Sequence, residues 1–168
     1  VYSKEMEHDA CGVGLIASTE GKKSREVVEY GIEALKAVWH RGAVDADGKT
    51  GDGAGIHLEI PKDFFVEKIE VTGHTHDGSD ICVGMIFLPR NDYSSQESCK
   101  TIVESELTKN DFSIYGWRQV PVNPKVLGEK AFQTMPEIIQ VLFKSNDKNL
   151  LDKDLERKIY ETRKKIEN

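Results

Sequence analysis

The sequence is poor in cysteine, with three in 168 residues: Cys11, Cys82 and Cys99. So sparse and odd a set excludes a disulfide-framed scaffold and fits a reducing, cytoplasmic setting. Long apolar runs are also lacking. The longest, residues 81–88, falls far short of the roughly 20 residues that cross a bilayer, and no basic-then-apolar leader opens the chain. No membrane partner is expected. Positive charge is in deficit, 23 Lys+Arg against 29 Asp+Glu for a formal net charge of −6. No basic cluster offsets it apart from the last helical stretch, so no nucleic-acid partner is expected either. Internal repeats, low-complexity segments and Pro/Gly/Ser linkers are absent. What is present, 38% hydrophobic and 31% charged residues at this length, describes a soluble chain of one domain with one core.

The periodicity alternates between helix and strand. Val13, Leu15 and Ile16 predict a short strand over 12–17, entered through Gly12 and Gly14. Ser24 is a good N-cap for a helix reaching about His40, with Val27, Val28, Ile32, Leu35, Val38 and Trp39 at three- and four-residue steps. A turn-rich stretch over 42–55 leads into an alternating strand over 55–60, closed by Pro61. Residues 71–80 read as an exposed loop. The run 81–88, apolar on both faces, predicts a central strand covered on both sides. A helix over 94–109, strands over 112–120 and 138–143, and a helix over 152–167 complete a layered arrangement of α and β elements. The chain starts at Val1 rather than Met, and it ends inside a helix whose Leu151, Leu155, Ile159 and Ile166 stripe needs a surface to cover. A fragment of a longer protein is expected.

Four places could carry chemistry. Cys11 sits among small residues in Asp9-Ala10-Cys11-Gly12-Val13-Gly14, where the backbone can approach a ligand closely. A thiol is a strong nucleophile only as thiolate and needs a nearby base or positive charge. Were the bond before it cut, its own α-amine, with a pKa of about 7.7–8.0, could be that base. The residues alone leave a small buried cysteine equally open. Trp39-His40-Arg41-Gly42-Ala43 is an ordinary helix ending, and it could also put a guanidinium at a cleft edge to grip a carboxylate. Gly51-Asp52-Gly53-Ala54-Gly55 opens a strand pattern rather than a helix, which argues against a phosphate cradle and for a tight turn. His74, His76, Asp77 and Asp80 match no closed metal pattern. His8 and His40 could in principle partner Cys11, whereas Cys82 and Cys99 lie on apolar faces and read as structural.

Taken together, these runs resemble a known family. His8-Asp9-Ala10-Cys11-Gly12-Val13-Gly14, His40-Arg41-Gly42-Ala43, Ala46-Asp47-Gly48 and Gly51-Asp52-Gly53-Ala54-Gly55 follow one another in its order. So do Gly84-Met85-Ile86-Phe87-Leu88, Gly116-Trp117-Arg118-Gln119-Val120-Pro121 and Val126-Leu127-Gly128-Glu129. The chain is similar in these respects to the start of the glutamate synthase large-subunit family, with only residues 72–80 lacking a strong echo.

The resemblance implies the N-terminal part of a class II glutamine amidotransferase domain, an N-terminal-nucleophile hydrolase with a four-layer αββα sandwich, incomplete at the C-terminus. It implies a propeptide over 1–10, Cys11 as nucleophile, and Arg41 and Gly12 as support for the pocket. The implied reaction is hydrolysis of glutamine to glutamate and ammonia through a cysteinyl thioester. The ammonia would pass to 2-oxoglutarate in the synthase domain of the same subunit. No metal or cofactor is expected in these residues; FMN and an iron–sulfur cluster are implied for the parent beyond residue 168, with a small electron-donating subunit as partner. The family's oxyanion hole uses an Asn-Gly pair, and no such dipeptide occurs here. The isolated chain is therefore expected to be inactive. Another class II amidotransferase, a Cys–His hydrolase and a non-catalytic scaffold piece are the alternatives.

Overall fold

The computed structural model describes residues 12–39 and 42–168. They divide into two compact units, one drawn from Val1–Glu59 with Asn123–Thr134, the other from Ile60–Val122 with Met135–Asn168.

The second unit holds the buried core. Three strands, β1 (Cys82–Leu88), β2 (Phe112–Gln119) and β3 (Glu137–Ser145), form an antiparallel sheet in the order β1-β3-β2. Alternation along the strands sends two sets of side chains to opposite faces. On one face Cys82, Phe112, Val141 and Phe143 pack with Val103 and Leu107 of α3 (Tyr93–Lys109), and with Leu155, Ile159 and Ile166 of α5 (Asp152–Ile166). On the other, Tyr115 and Leu142 pack with Ile81 and with Phe65 and Ile69 of α2 (Lys62–Val71). Asp92 starts α3 by accepting from Ser95 N at 3.0 Å, and buried Gln96 ties the helix back by donating to Pro89 O at 2.7 Å.

A bulge in β2 sets Tyr115 and Gly116 against Leu142. Gly116 has φ +146°, and a Cβ there would lie 2.9 Å from Thr72 Cγ2. Thr72, which caps α2, donates its hydroxyl to Ile69 O at 2.7 Å or to Tyr115 O at 2.8 Å, so the end of α2 is docked on the bulge.

The first unit is built on α1 (Arg25–Ala37). Ser24 caps it from an extended backbone, accepting from Val27 N at 3.3 Å, with Glu26 in the first turn and Lys36 in the last complementing the helix dipole. Its apolar face is half-buried at Val27, Val28, Ile32, Leu35 and Val38. Ile56 Cδ1 approaches Gly31 so closely that a Cβ there would stand at 3.2 Å. A 3₁₀ turn, Pro124–Val126, and α4 (Glu129–Thr134) complete this unit.

Three expectations are corrected. Residues 12–17 and 55–60 form no strand: both are coil, with Val13 94% and Leu15 89% exposed. Alternation predicts a strand only where a neighbour pairs its backbone, and among the described residues neither segment has one. β1 is an edge strand and β3 is the central one. The run is covered by α3 and α5 on the face of Cys82 and Ile86, but on the other only Ile81 and Val83 pack, and Met85 and Phe87 stand 49% and 63% exposed, so the double cover is not met either. Finally, the α5 stripe finds its cover within the chain, on α3 and the sheet, apart from exposed Leu151. The observed class is mixed α and β with a small antiparallel sheet.

Candidate functional site

Of the residues singled out from the sequence, Cys11, His8, His40 and Arg41 lie outside the described residues. Gly12 lies in exposed coil. What the structure builds in detail is the arm that follows Arg41 in the chain. Beyond the end of α1, Gly42 N donates to Trp39 O at 3.1 Å. Ala43 N then donates to Asp52 Oδ2 at 2.8 Å, Val44 pairs with Gly51 across an isolated bridge, and Asp45 N donates to Thr50 O at 2.7 Å. The glycine-rich stretch is thus a closed arm, with its base at Gly42 and Asp52 and its tip at Asp47–Thr50. The turn itself lies at Asp45–Thr50, just before the Gly51–Gly55 run where the sequence places it.

Asp47 organises the tip. Its Oδ1 accepts from Lys49 N at 2.9 Å and Thr50 N at 2.7 Å; its Oδ2 accepts from Thr50 Oγ1 at 2.6 Å and from Glu129 N, 82 residues away, at 3.1 Å. Hydrogen bonds from Thr50 and Lys49, led by the Thr50 hydroxyl, lower its pKa to about 2. Gly128 must be glycine here, since a Cβ would overlap Thr50 Oγ1 and Asp47 Oδ2. Lys130 Nζ reaches Asp45 Oδ2 at 2.5 Å. The runs Ala46-Asp47-Gly48, Gly51–Gly55 and Val126–Glu129, distant in sequence, therefore converge in one unit. Each run is visible in the sequence, but no local pattern signals that they meet.

In the other unit the 71–80 stretch is a loop only from Thr72 onward, because Lys62–Val71 is helical. Its histidines are engaged: His74 Nδ1 lies 3.1 Å from Thr72 Oγ1, and His76 Nε2 lies 2.8 Å from Ser79 O. Asp77 takes an ion pair from Lys144 at 2.6 Å and a hydrogen bond from Tyr115 Oη at 3.3 Å. The hydrogen bond from Lys144, with others from Ser79, holds its carboxyl well below the usual carboxylate range. Among the described residues no three His, Cys, Asp or Glu side chains are grouped to hold a metal ion. Burial, with the charges of Asp80 and Glu156 nearby, pushes the Cys82 thiol up to about 12, and this cysteine is part of the core as expected.

The sequence matches the family of class-II glutamine amidotransferases over residues 11–168, and the chain belongs to that family. Among similar proteins, the glutamate synthase [NADPH] large chain of Azospirillum brasilense is 54% identical over 166 residues, covering 99% of this chain and 11% of that protein. The ferredoxin-dependent glutamate synthase 1, chloroplastic/mitochondrial, of Arabidopsis thaliana is 42% identical over 162 residues, 96% of this chain and 10% of that one. The ferredoxin-dependent glutamate synthase of Pyropia yezoensis is 40% identical over 168 residues, 99% of this chain and 11% of that one. The chain thus spans about a tenth of the length of these relatives.

Proposed function

We propose that this chain is the amino-terminal part of the glutaminase domain of a glutamate synthase large subunit, and that Cys11 becomes the nucleophile once the Ala10–Cys11 bond is cut. The observation that carries the reading is that the family match begins at Cys11, leaving residues 1–10 outside it. The 54% identity to a glutamate synthase large chain supports the choice among amidotransferases. Residues 1–10 are then a propeptide, and the parent domain is a four-layer αββα sandwich to which the antiparallel sheet and its helices contribute.

The freed α-amine takes the Cys11 thiol proton, directly or through water, and the thiolate sulfur attacks the side-chain amide carbon of glutamine. The oxyanion intermediate collapses with cleavage of the C–N bond, and the proton held by the amine leaves with ammonia. Water then adds to the γ-glutamyl thioester with the amine as base, releasing glutamate and restoring the thiol. Arg41 supports the cysteine pocket and Gly12 lets the backbone approach the substrate. Without the propeptide cut, the nitrogen of Cys11 is an amide with no useful basicity.

In the parent, the ammonia passes to amination of 2-oxoglutarate in the synthase domain, with electrons supplied by a small subunit or another donor, in a cytoplasmic setting. No helix among the described residues is long and apolar enough to cross a membrane. The iron–sulfur cluster implied for the parent, beside its flavin, does not fit the described residues: a cluster takes several thiolates, and Cys82 is a buried thiol held protonated. Its ligands belong to other parts of the parent.

The test is alkylation of Cys11 in the parent-length enzyme by 6-diazo-5-oxonorleucine, a glutamine-analogue electrophile that needs a formed pocket. Labelling at Cys11 with loss of glutaminase activity is the expected result. Labelling elsewhere, or an active enzyme lacking the Cys11 thiol, would overturn the proposal.

A further inference from the structure

We propose that Asp47 is a positioning residue whose carboxylate does two jobs: it shapes the tip of the 42–52 arm, and through Oδ2 it latches that tip to the start of α4. The inference rests on the proposed glutaminase reading, because what the latch holds in place is the arm whose base follows Arg41 directly.

The division of labour is visible in the geometry. Both hydrogen bonds to Oδ1 come from backbone N–H groups within the turn, Lys49 at 2.9 Å and Thr50 at 2.7 Å. Oδ2 takes the one from Glu129 N at 3.1 Å, together with the Thr50 hydroxyl. The close approach of Gly128 to Asp47 and Thr50, and the Lys130–Asp45 ion pair, lie at the same junction. The Ala43–Asp52 bond, the Val44–Gly51 bridge and the Asp45–Thr50 bond close the arm from base to tip. An arm closed in this way carries an angular error at its latched tip to its base. Fixing the tip on α4 therefore fixes the base at Gly42 and Asp52. Misplacement of a substrate-positioning group by about 1 Å can cost on the order of 10²-fold in rate.

Two substitutions cut the latch from opposite sides. Asp47→Asn keeps an oxygen for the two turn amides and replaces Oδ2 with an NH₂ group, which cannot accept from Glu129 N. Glu129→Pro removes that N–H at the first residue of α4, where proline is tolerated. Glu129→Ala, which keeps the N–H, is the control. In the parent-length enzyme, each latch variant is expected to slow Cys11 alkylation by 6-diazo-5-oxonorleucine about tenfold and lower kcat/KM for glutamine to match. The rate with iodoacetamide, which needs no glutamine pocket, stays within about twofold of wild type. Glu129→Ala tracks the wild type, and the double variant Asp47→Asn/Glu129→Pro is no slower than Asp47→Asn alone, since that substitution already removes the bond from Glu129.

Equal effects of Glu129→Pro and Glu129→Ala, additive losses in the double variant, or parallel losses with both electrophiles would overturn the latch. So would unchanged rates in Asp47→Asn. A wild-type enzyme that is not labelled at Cys11 contradicts the glutaminase reading itself, and is distinguished from failure of the latch by that single control.

Discussion

Asp47 and Cys82 show how strongly surroundings decide what a side chain can do. Asp47 is ionised down to about pH 2 because it accepts several hydrogen bonds, and this has a consequence at low pH. A carboxyl with a folded-state pKa below its unfolded value, about 3.9, contributes stability that is present above that value and lost as pH falls through the folded one. Protection of the Lys49 and Thr50 amides against hydrogen exchange is therefore expected to fall between about pH 4 and 2. Protection that is flat across that window would contradict the assignment. Cys82, with its thiol pushed up to about 12 and its side chain in the core, is expected to resist iodoacetamide in the folded chain and to react fully in denaturant. Peptide mapping after labelling reads both states. For Cys11, replacement by alanine in the parent-length enzyme removes the nucleophile, and the expected loss is about 10³-fold or more in glutaminase kcat.

At the scale of elements, the sheet's tolerance is set by close approaches. A Cβ on Gly84 in β1 would stand 2.7 Å from Val141 Cγ1 on β3, against a branched side chain with little freedom to turn away. Gly84→Ala is expected to destabilise the chain by about 1–3 kcal/mol. Leu142, fully buried at the centre of β3, is expected to cost about 2–5 kcal/mol on truncation to alanine. Urea denaturation measures both, and a Gly84→Ala chain as stable as wild type would show that β1 stands farther from β3. Elements with one strong period and a clear cap were legible in the sequence: α1 behind Ser24, α3, and the three strands of the sheet. Those that failed did so for physical reasons. α2 begins immediately after Pro61, which as a strand terminator hid its other role as the residue preceding a helix. Residues 55–60 alternate well, yet alternation describes two faces and cannot supply the pairing partner that makes a strand. α4 is a single short helix held by Asp47 from 82 residues away, a contact that no local pattern encodes.

For the whole molecule, the family was more legible than the architecture. Short runs around Cys11, Arg41, Asp47, Asp52 and Gly128 kept the order of a known family, and the match over residues 11–168 places the chain in the class-II glutamine amidotransferases. One local requirement is visible in the described residues: left-handed backbone at Gly48 and Gly53. What no run conveys is the convergence of Gly128 on Asp47 and Thr50, or the placing of β3 between β1 and β2. These are long-range facts, fixed by packing rather than by local preference. The catalytic proposal rests on one step, release of the Cys11 α-amine. Intact mass with N-terminal sequencing of the parent-length enzyme tests it most directly. A mature chain beginning at Cys11 is the result expected; a chain beginning upstream of Cys11 that still hydrolyses glutamine would contradict the mechanism and return His8 and His40 as candidates for the base.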